Sequence, residues 1–283
     1  VVETITLTLS DPEGHTSAAV KVPITWTTPA THTLFGACPA PPAGESKAAA
    51  QSVLTKWGTA AAVRQFFGGT AAPNVMGSIY HGSWKCGNDY AGLIAGTYDA
   101  AIMAMLKPLP AGTVVEFMHE LDAKVRAGSV TLAQGIAAKN HFYDVAKAAN
   151  PGVLVWNTLT SWLFDPTSGL DPSAYAAVKC DGLGDDCDGI NFPAKTTYYD
   201  YTNAWAKFVT FAKAQGKPFS VPEFGAQRLT SDPDGTLHAT WITRMGQMFA
   251  ASGAKYVCFF DYPPEGPLTT AAEMAAVKSL MTT

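Results

Sequence analysis

Hydrophobic and polar positions change rhythm along this chain. At the start, Ile5, Leu7 and Leu9 alternate with threonines, "DPEGHT" supplies a turn, and Val20, Val22, Ile24 and Trp26 alternate again. Two alternating runs about a turn predict an antiparallel strand pair, which is marginally stable alone. "TTPATHT" (27–33) then has the composition of a linker. From residue 33 onward short apolar runs predict strands at 33–37, 61–67, 74–80, 113–118, 153–157, 188–192, 218–223 and 256–261. Between most of them the apolar spacing becomes helical, at 46–56, 98–106, 129–149, 201–215, 236–252 and 270–281. "SVTLAQGIAAKNHFYDVAKAAN" shows the period well and stops at Asn150-Pro151.

Eight short apolar strands alternating with helices predict an α/β chain, a (β/α)8 TIM barrel with a short N-terminal β extension. The expected division is 1–32 for the extension and linker and 33–283 for the barrel. "GGTAAP", between the second and third strands, is too short for a full helix. A doubly wound open sheet is the alternative, but no GxGxxG or P-loop supports it.

Composition narrows the function classes. Apolar residues make up 47% of the 283 and charged ones 15%, enough for a large core and too ordered a mixture for disorder. A net charge of −4 and no basic run argue against nucleic acid or an anionic membrane as partner. No apolar stretch is long enough to span a bilayer. The chain starts at Val1 without Met or leader, and reads as a processed protein or a monomeric domain cut from a longer one. Cys180 and Cys187 bracket "DGLGDD", a turn-like stretch that a disulfide can close. Cys38 and Cys86 are the expected second pair, Cys258 in "YVCFF" a free buried thiol, and the setting extracytoplasmic. No CxxC or HxxxH spacing suggests a metal, and no cofactor is expected.

The chemistry concentrates at two strand ends. "VVEFMHELDAK" (114–124) drives an apolar run into His119-Glu120, and "KPFSVPEFGA" (217–226) ends another at Glu223. Barrel active sites stand at the C-terminal ends of strands, so these glutamates can face each other across the mouth. Two facing carboxylates, one protonated and one ionised, are the minimum equipment for cleaving a glycosidic bond.

"HE" after one apolar strand and "EFG" after another resemble the retaining glycoside hydrolases of clan A, most closely family 26. "LFGACPA" at the first strand, "LIAGTYDAAI" before the fourth, "VLVWNT" at the fifth and "KPFSVPEFG" extend the likeness over residues 33–283. That family holds β-mannanases and some β-glucanases and xylanases. The resemblance implies an acid/base at Glu120, a nucleophile at Glu223 and His119 beside the acid/base. Family members continue from His-Glu with Met-Asn-Gly and aromatics, whereas this chain has Leu121-Asp122-Ala123-Lys124. The usual sixth-strand tyrosine that holds the nucleophile has no counterpart at Asn191 or Phe192, leaving Tyr198 or Tyr199 in the loop.

Further candidates complete the expected site. Arg64, inside an apolar strand, is costly unless paired and is expected to reach Glu223 and keep it ionised. Trp84 and Trp162 follow strands and can stack on sugar faces; His81, Tyr199 and Asp261 with Tyr262 are candidates for substrate hydroxyls. Trp156, Trp57, Trp205 and Trp241 are expected in the core, and Glu116 and Asp122 as solvated or paired structural acids. The function expected is an endo-acting retaining glycosidase on a polysaccharide or oligosaccharide. The rivals are a non-catalytic carbohydrate-binding barrel and a structural module of an extracellular or phage-tail assembly. A Ser-His-Asp hydrolase lacks its GxSxG.

Overall fold

The computed structural model describes residues 2–7, 20–25, 33–39, 56–57, 61–68, 73, 75, 77–189, 195–261 and 268–282. The chain divides into two compact units, Val1–His32 and Thr33–Thr283. In the first, β1 (Val2–Leu7) pairs antiparallel with β2 (Val20–Thr25), Val2 opposite Thr25 and Leu7 opposite Val20.

The second unit is a closed barrel of eight parallel strands: β3 (Leu34–Pro39), β4 (Ala62–Gly68), β5 (Ile79–Lys85), β6 (Val114–Phe117), β7 (Leu154–Thr160), β8 (Gly182–Gly189), β9 (Phe219–Ala226) and β10 (Tyr256–Asp261). They pair in sequence order, and β10 closes onto β3. The helices described along their whole length include α1 (Tyr90–Ile94), α2 (Asp99–Leu106), α3 (Leu121–Arg126), α4 (Leu132–Ala149), α5 (Ser161–Phe164), α6 (Thr202–Ala214), α7 (Thr236–Ala251) and α8 (Ala271–Met281). Capping boxes start two of the long ones, Thr131 with Gln134 on α4 and Thr270 with Glu273 on α8. Among the described residues no helix is long and apolar enough to cross a membrane.

The two faces of the strands carry different chemistry. Outward residues such as Phe67, Trp84, Val115, Phe117, Leu159 and Phe224 pack with Phe142, Phe208 and Phe249 of the helices. Each buried side chain of that size contributes roughly 1.5–3 kcal/mol. Inside, Ala62, Val114, Trp156, Tyr256 and Cys258 form an apolar floor. Above it the interior turns polar with Arg64, His81, Glu116 and Thr158, all buried. Trp57, Trp205 and Trp241 are core residues, as their helical spacing predicted.

Two strands lie away from their expected positions. The third barrel strand starts at Ile79, so His81 and Trp84 are within it and do not follow it. The sixth is Gly182–Gly189, the stretch expected to be a loop. Its glycines answer to packing: a Cβ on Gly182 would come within 2.3 Å of the Trp156 ring, and one on Gly184 within 2.5 Å of Thr158 Oγ1.

This strand also removes the expected disulfides, since all five cysteines are unpaired. Cys180 precedes β8 and Cys187 lies on it, and an extended run of five residues spans about 16 Å, far beyond the ~7 Å limit between bridged Cα atoms. Cys38 on β3 is separated by β4 from Cys86 after β5, and strands two apart are about 9.5 Å distant.

Candidate active site

At the centre of the mouth is Arg64, fully buried on β4 between two carboxylates. Its Nη1 lies 2.6 Å from Glu116 Oε1, while Nε and Nη2 donate to Glu223 Oε1 at 3.1 and 2.9 Å. The second oxygen of Glu116 accepts the Thr158 backbone N–H at 3.0 Å, and Thr158 Oγ1 donates to Oε1 at 3.1 Å. Glu116 is therefore not a solvated acid. It is a buried counter-ion: burial pushes its carboxyl up, but Arg64 and His81 outweigh this and hold it well below the usual range. An isolated buried guanidinium would be prohibitively costly, and two carboxylates with fixed donors offset that.

Glu223 points inward because β9 carries an extra residue. Against β10, Val221 pairs with Val257 and Phe224 with Phe259, a step of three residues against two; against β8, Ser220 pairs with Gly184 and Phe224 with Cys187, a step of four against three. This bulge keeps both Val221 and Phe224 on the outer face while Glu223 enters the barrel. Pro222, lacking an N–H, sits in the bulge without breaking a ladder bond.

Glu120 is placed by a strained turn. Met118 and Glu120 adopt left-handed backbone, φ 43° and 57°, a conformation non-glycine residues hold only when their surroundings fix it. Here both neighbouring strands hold the turn. Met118 N–H donates to Trp84 O at 3.0 Å and Glu120 N–H to Thr158 O at 2.9 Å. Asp122, buried, accepts from the Thr160 backbone N–H at 2.9 Å and from its hydroxyl. The buried Lys139 of α4 donates to Phe117 O at 2.8 Å, and burial pulls its ammonium down to about 8.

His119 stands between the two glutamates. Its Nε2 is 3.8 Å from Glu120 Oε2 and 4.0 Å from Glu223 Oε1, so those oxygens lie less than twice that distance apart. The His119 backbone N–H donates to Ser83 Oγ at 3.4 Å, and Ser83 lies 3.0 Å from Nδ1. The Ser83 oxygen has two lone pairs, so while accepting the backbone N–H it can either donate to Nδ1 or accept from it, and Nε2 is the ring nitrogen that faces the carboxylates. Burial and then Arg64 hold the ring well below its ordinary pKa, so it is neutral.

The environments push the two glutamates apart. Burial first, then Glu223 and Asp122, raises Glu120 to about 7. Burial raises Glu223 also, against the direct bonds from Arg64. Its buried neighbour Asp186, on β8, is raised well above the carboxylate range by burial and then by Glu223, with no cation bonded to it. Direct bonds from Arg64 offset the upward push at Glu223, and nothing bonded to Asp186 offsets it there, so of the two the proton favours Asp186. His119, Asp186 and Glu223 each offer an atom within 4.8 Å of the others, the spacing of a possible metal site. A divalent cation there would, however, sit against the Arg64 charge already bonded to Glu223.

Other expected site residues lie elsewhere. His81 is under the mouth, with Nε2 3.1 Å from Glu116 Oε1 and Nδ1 2.6 Å from the Tyr256 hydroxyl; burial and Arg64 lower it to about 4. Fully buried there, it supports the Arg64–Glu116 pair. Trp84 faces outward against Tyr98, Phe117 and Phe142, because Tyr80, Gly82 and Trp84 share the strand face opposite His81 and Ser83. Asp261 accepts from Lys56, Trp57 and the Leu268 N–H, at 2.9, 3.1 and 3.1 Å. The Tyr199 hydroxyl bonds Asp165, and Tyr198 bonds Asp232 and stacks on His238; neither is seen on Glu223. Trp162, 44% exposed at the start of α5 beyond β7, keeps an open ring. Asn191, Phe192 and Tyr262 lie outside the described residues.

No family model matches this sequence, and no curated protein does. Solved structures share its architecture. An intracellular xylanase from Thermoanaerobacterium saccharolyticum, in complex with xylotriose, aligns with a TM-score of 0.58 at 12% identity over 87% of this chain and 95% of that one. A β-1,4-D-mannanase from Cryptopygus antarcticus gives 0.57 at 10% over 99% and 95%. A β-1,4-mannanase from the sea hare Aplysia kurodai gives 0.56 at 11% over 90% and 93%. What is common at such identities is the fold, and this chain has the (β/α)8 barrel on which those glycan hydrolases are built.

Proposed function

We propose that this chain is a glycoside hydrolase that cleaves a β-linked polysaccharide internally, with retention, through Glu223 as nucleophile and Glu120 as acid/base. The observation that carries the reading is the pair itself: two glutamates at the mouth, both within 4.0 Å of one imidazole nitrogen. One is bonded to a buried arginine and the other raised to about 7. Glu223 attacks the anomeric carbon as the bond to the leaving oxygen breaks, and Glu120 gives that oxygen its proton. Glu120, now a carboxylate, takes a proton from water, which attacks the same carbon and returns Glu223 free. Neutral His119 holds the two carboxyls apart without adding charge.

Proteins similar in fold include a β-1,4-mannanase, a xylanase and a xyloglucan-specific endo-β-1,4-glucanase, which supports a β-glycan substrate. Membership of family 26 rests on the sequence motifs. An extracytoplasmic setting rests on the size of such a substrate and not on the cysteines, and secretion into the medium of an expressing host tests it. The test of function is digestion of linear β-mannan, xylan and β-glucan with product sizing. Wild type should release a ladder of oligosaccharides and E223A none. Binding without cleavage would make the chain a carbohydrate-binding barrel; monosaccharide alone would refute internal cleavage.

A further inference from the structure

Two lysines stand over the mouth without a counter-ion. Lys85 ends β5, and its Nζ lies 4.7 Å from the centre of the Phe66 ring. Phe66 shares the inner face of β4 with Arg64, its ring 4.9 Å from the His119 ring and 5.1 Å from the Arg64 guanidinium carbon. Such a contact orients the Lys85 ammonium and leaves its charge unneutralised. Lys124 is one helical turn beyond Glu120, its backbone N–H on Glu120 O at 3.2 Å. It is half-buried. Lys56, Lys139, Lys147 and Lys217, also buried or half-buried, each donate to an oxygen. Among the described residues neither Lys124 nor Lys85 has an ion pair or a side-chain hydrogen bond.

Tuning the two catalytic acids does not account for these cations. Glu223 already holds two bonds from Arg64. Lys124 lowers Glu120 against the larger upward push of burial, so it opposes the proton that a general acid must keep. Burial lowers the Lys85 ammonium, and Lys124 lowers it further against the pull of Glu223, so the two lysines repel each other. With the proton favouring Asp186, and Glu120 raised to about 7, the mouth sets Glu116 and Glu223 against Arg64, Lys85 and Lys124. It is net positive in a chain whose net charge is −4. A cleft of one sign concentrates ligands of the other.

Resting on the hydrolase reading above, we propose that the substrate is an acidic glycan, and that Lys85 and Lys124 bind an anionic group on a sugar beside the bond being cleaved. The carboxylate of a uronic acid and a sulfate ester share the required chemistry, a compact negative charge with several acceptor oxygens. An ammonium on a flexible stem, with three N–H donors, suits either. An anion between the two lysines removes their repulsion. It also cancels the pull of Lys124 on Glu120, so a bound acidic glycan favours the protonated acid that the first displacement uses.

The test reads a ratio, kcat/KM on an acidic polymer over kcat/KM on its neutral counterpart, in which any loss common to both cancels. The pairs are glucuronoxylan with its carboxyl-reduced form, and β-mannan and β-glucan, lightly oxidised at C6 or lightly sulfated, with their parents. At low salt the wild-type ratio should reach about 5–30 for at least one pair, the upper range of what two partly exposed ion pairs supply. It should fall toward 1 as NaCl screens the charges. K85M and K124M should each lower it, K85M/K124M should bring it below about 2, and K85R/K124R should keep it. Whether the oxidised or the sulfated polymers carry the effect names the anion. A wild-type ratio near 1 on every pair it cleaves, or a high ratio that K85M/K124M leaves intact, would overturn this inference and leave the hydrolase reading standing. A wild type inert on every polymer would overturn the hydrolase reading itself.

Discussion

Replacing Arg64 with methionine tests the buried charge network directly. The guanidinium contacts Glu116 at 2.6 Å and bonds Glu223 at 2.9 and 3.1 Å, with no exposure to solvent. Removing one partner of a buried pair costs about 3–5 kcal/mol, because the other charge stays buried without compensation. For a domain of this size that is roughly 2–4 °C of Tm per kcal/mol, so R64M should melt about 6–20 °C lower at pH 7. The pH dependence carries a sign. In wild type Glu116 is held well below the usual range, so its stabilisation is present above about pH 4 and lost as pH falls through the depressed value. In R64M both carboxyls titrate above their unfolded values, so the deficit should be largest at neutral pH and shrink toward pH 5. Catalysis should report the same shift. About 3 kcal/mol of lost pairing corresponds to about 2 pKa units on Glu223, moving the acidic limb of kcat/KM up by that amount. Thermal melts from pH 5 to 8 and pH–rate profiles with an aryl glycoside measure both. An unmoved acidic limb together with a pH-independent Tm deficit would refute the reasoning.

Three further outcomes are expected. With Glu120 raised to about 7, wild-type kcat/KM should fall above neutrality as the acid is lost; E120A should abolish that limb. The same variant should slow unactivated glycans by about 10²–10⁴ while sparing nitrophenyl leaving groups, as product release and chromophore assays would show. W84A should cost about 3–5 kcal/mol by emptying the outer core in denaturant melts, whereas W162A should leave the melt unchanged and raise KM for long oligosaccharides. Thiol titration under denaturing, non-reducing conditions should find five thiols; three or one would restore a disulfide.

What was legible in the sequence was whatever lies outside the barrel or at the end of an apolar run. The long helices follow their period, α4 starting at Leu132 and stopping at Ala149 before Asn150-Pro151. Glu120 and Glu223 stand out because β6 and β9 bury every residue leading to them. Arg64 was legible as an anomaly, a cation in an apolar strand that had to find an acid. What escaped is the polar inner layer. β5 reads Tyr-His-Gly-Ser-Trp with polar residues inside and aromatics outside, the reverse of the pattern that marks a half-buried strand, so its phase was misplaced and Trp84 assigned to the mouth. β8, "GLGDDCDG", has the composition of a turn because its glycines yield space to Trp156 and Thr158. Glu116 gains its role from partners on other strands, Arg64, His81 and Thr158, and local spacing carries no trace of that.

The identity of the nucleophile is the centre of this account, and covalent trapping measures it. Incubation with an activated 2-deoxy-2-fluoro glycoside of the preferred sugar lets the first displacement proceed and slows the second, and peptide mass mapping then locates the sugar. The account predicts one sugar per chain, esterified to Glu223 in the "PFSVPEFGA" segment, and none in E223A. A label on Asp186, Glu116 or Glu120, or steady turnover with an inverted first product and no adduct, would contradict it.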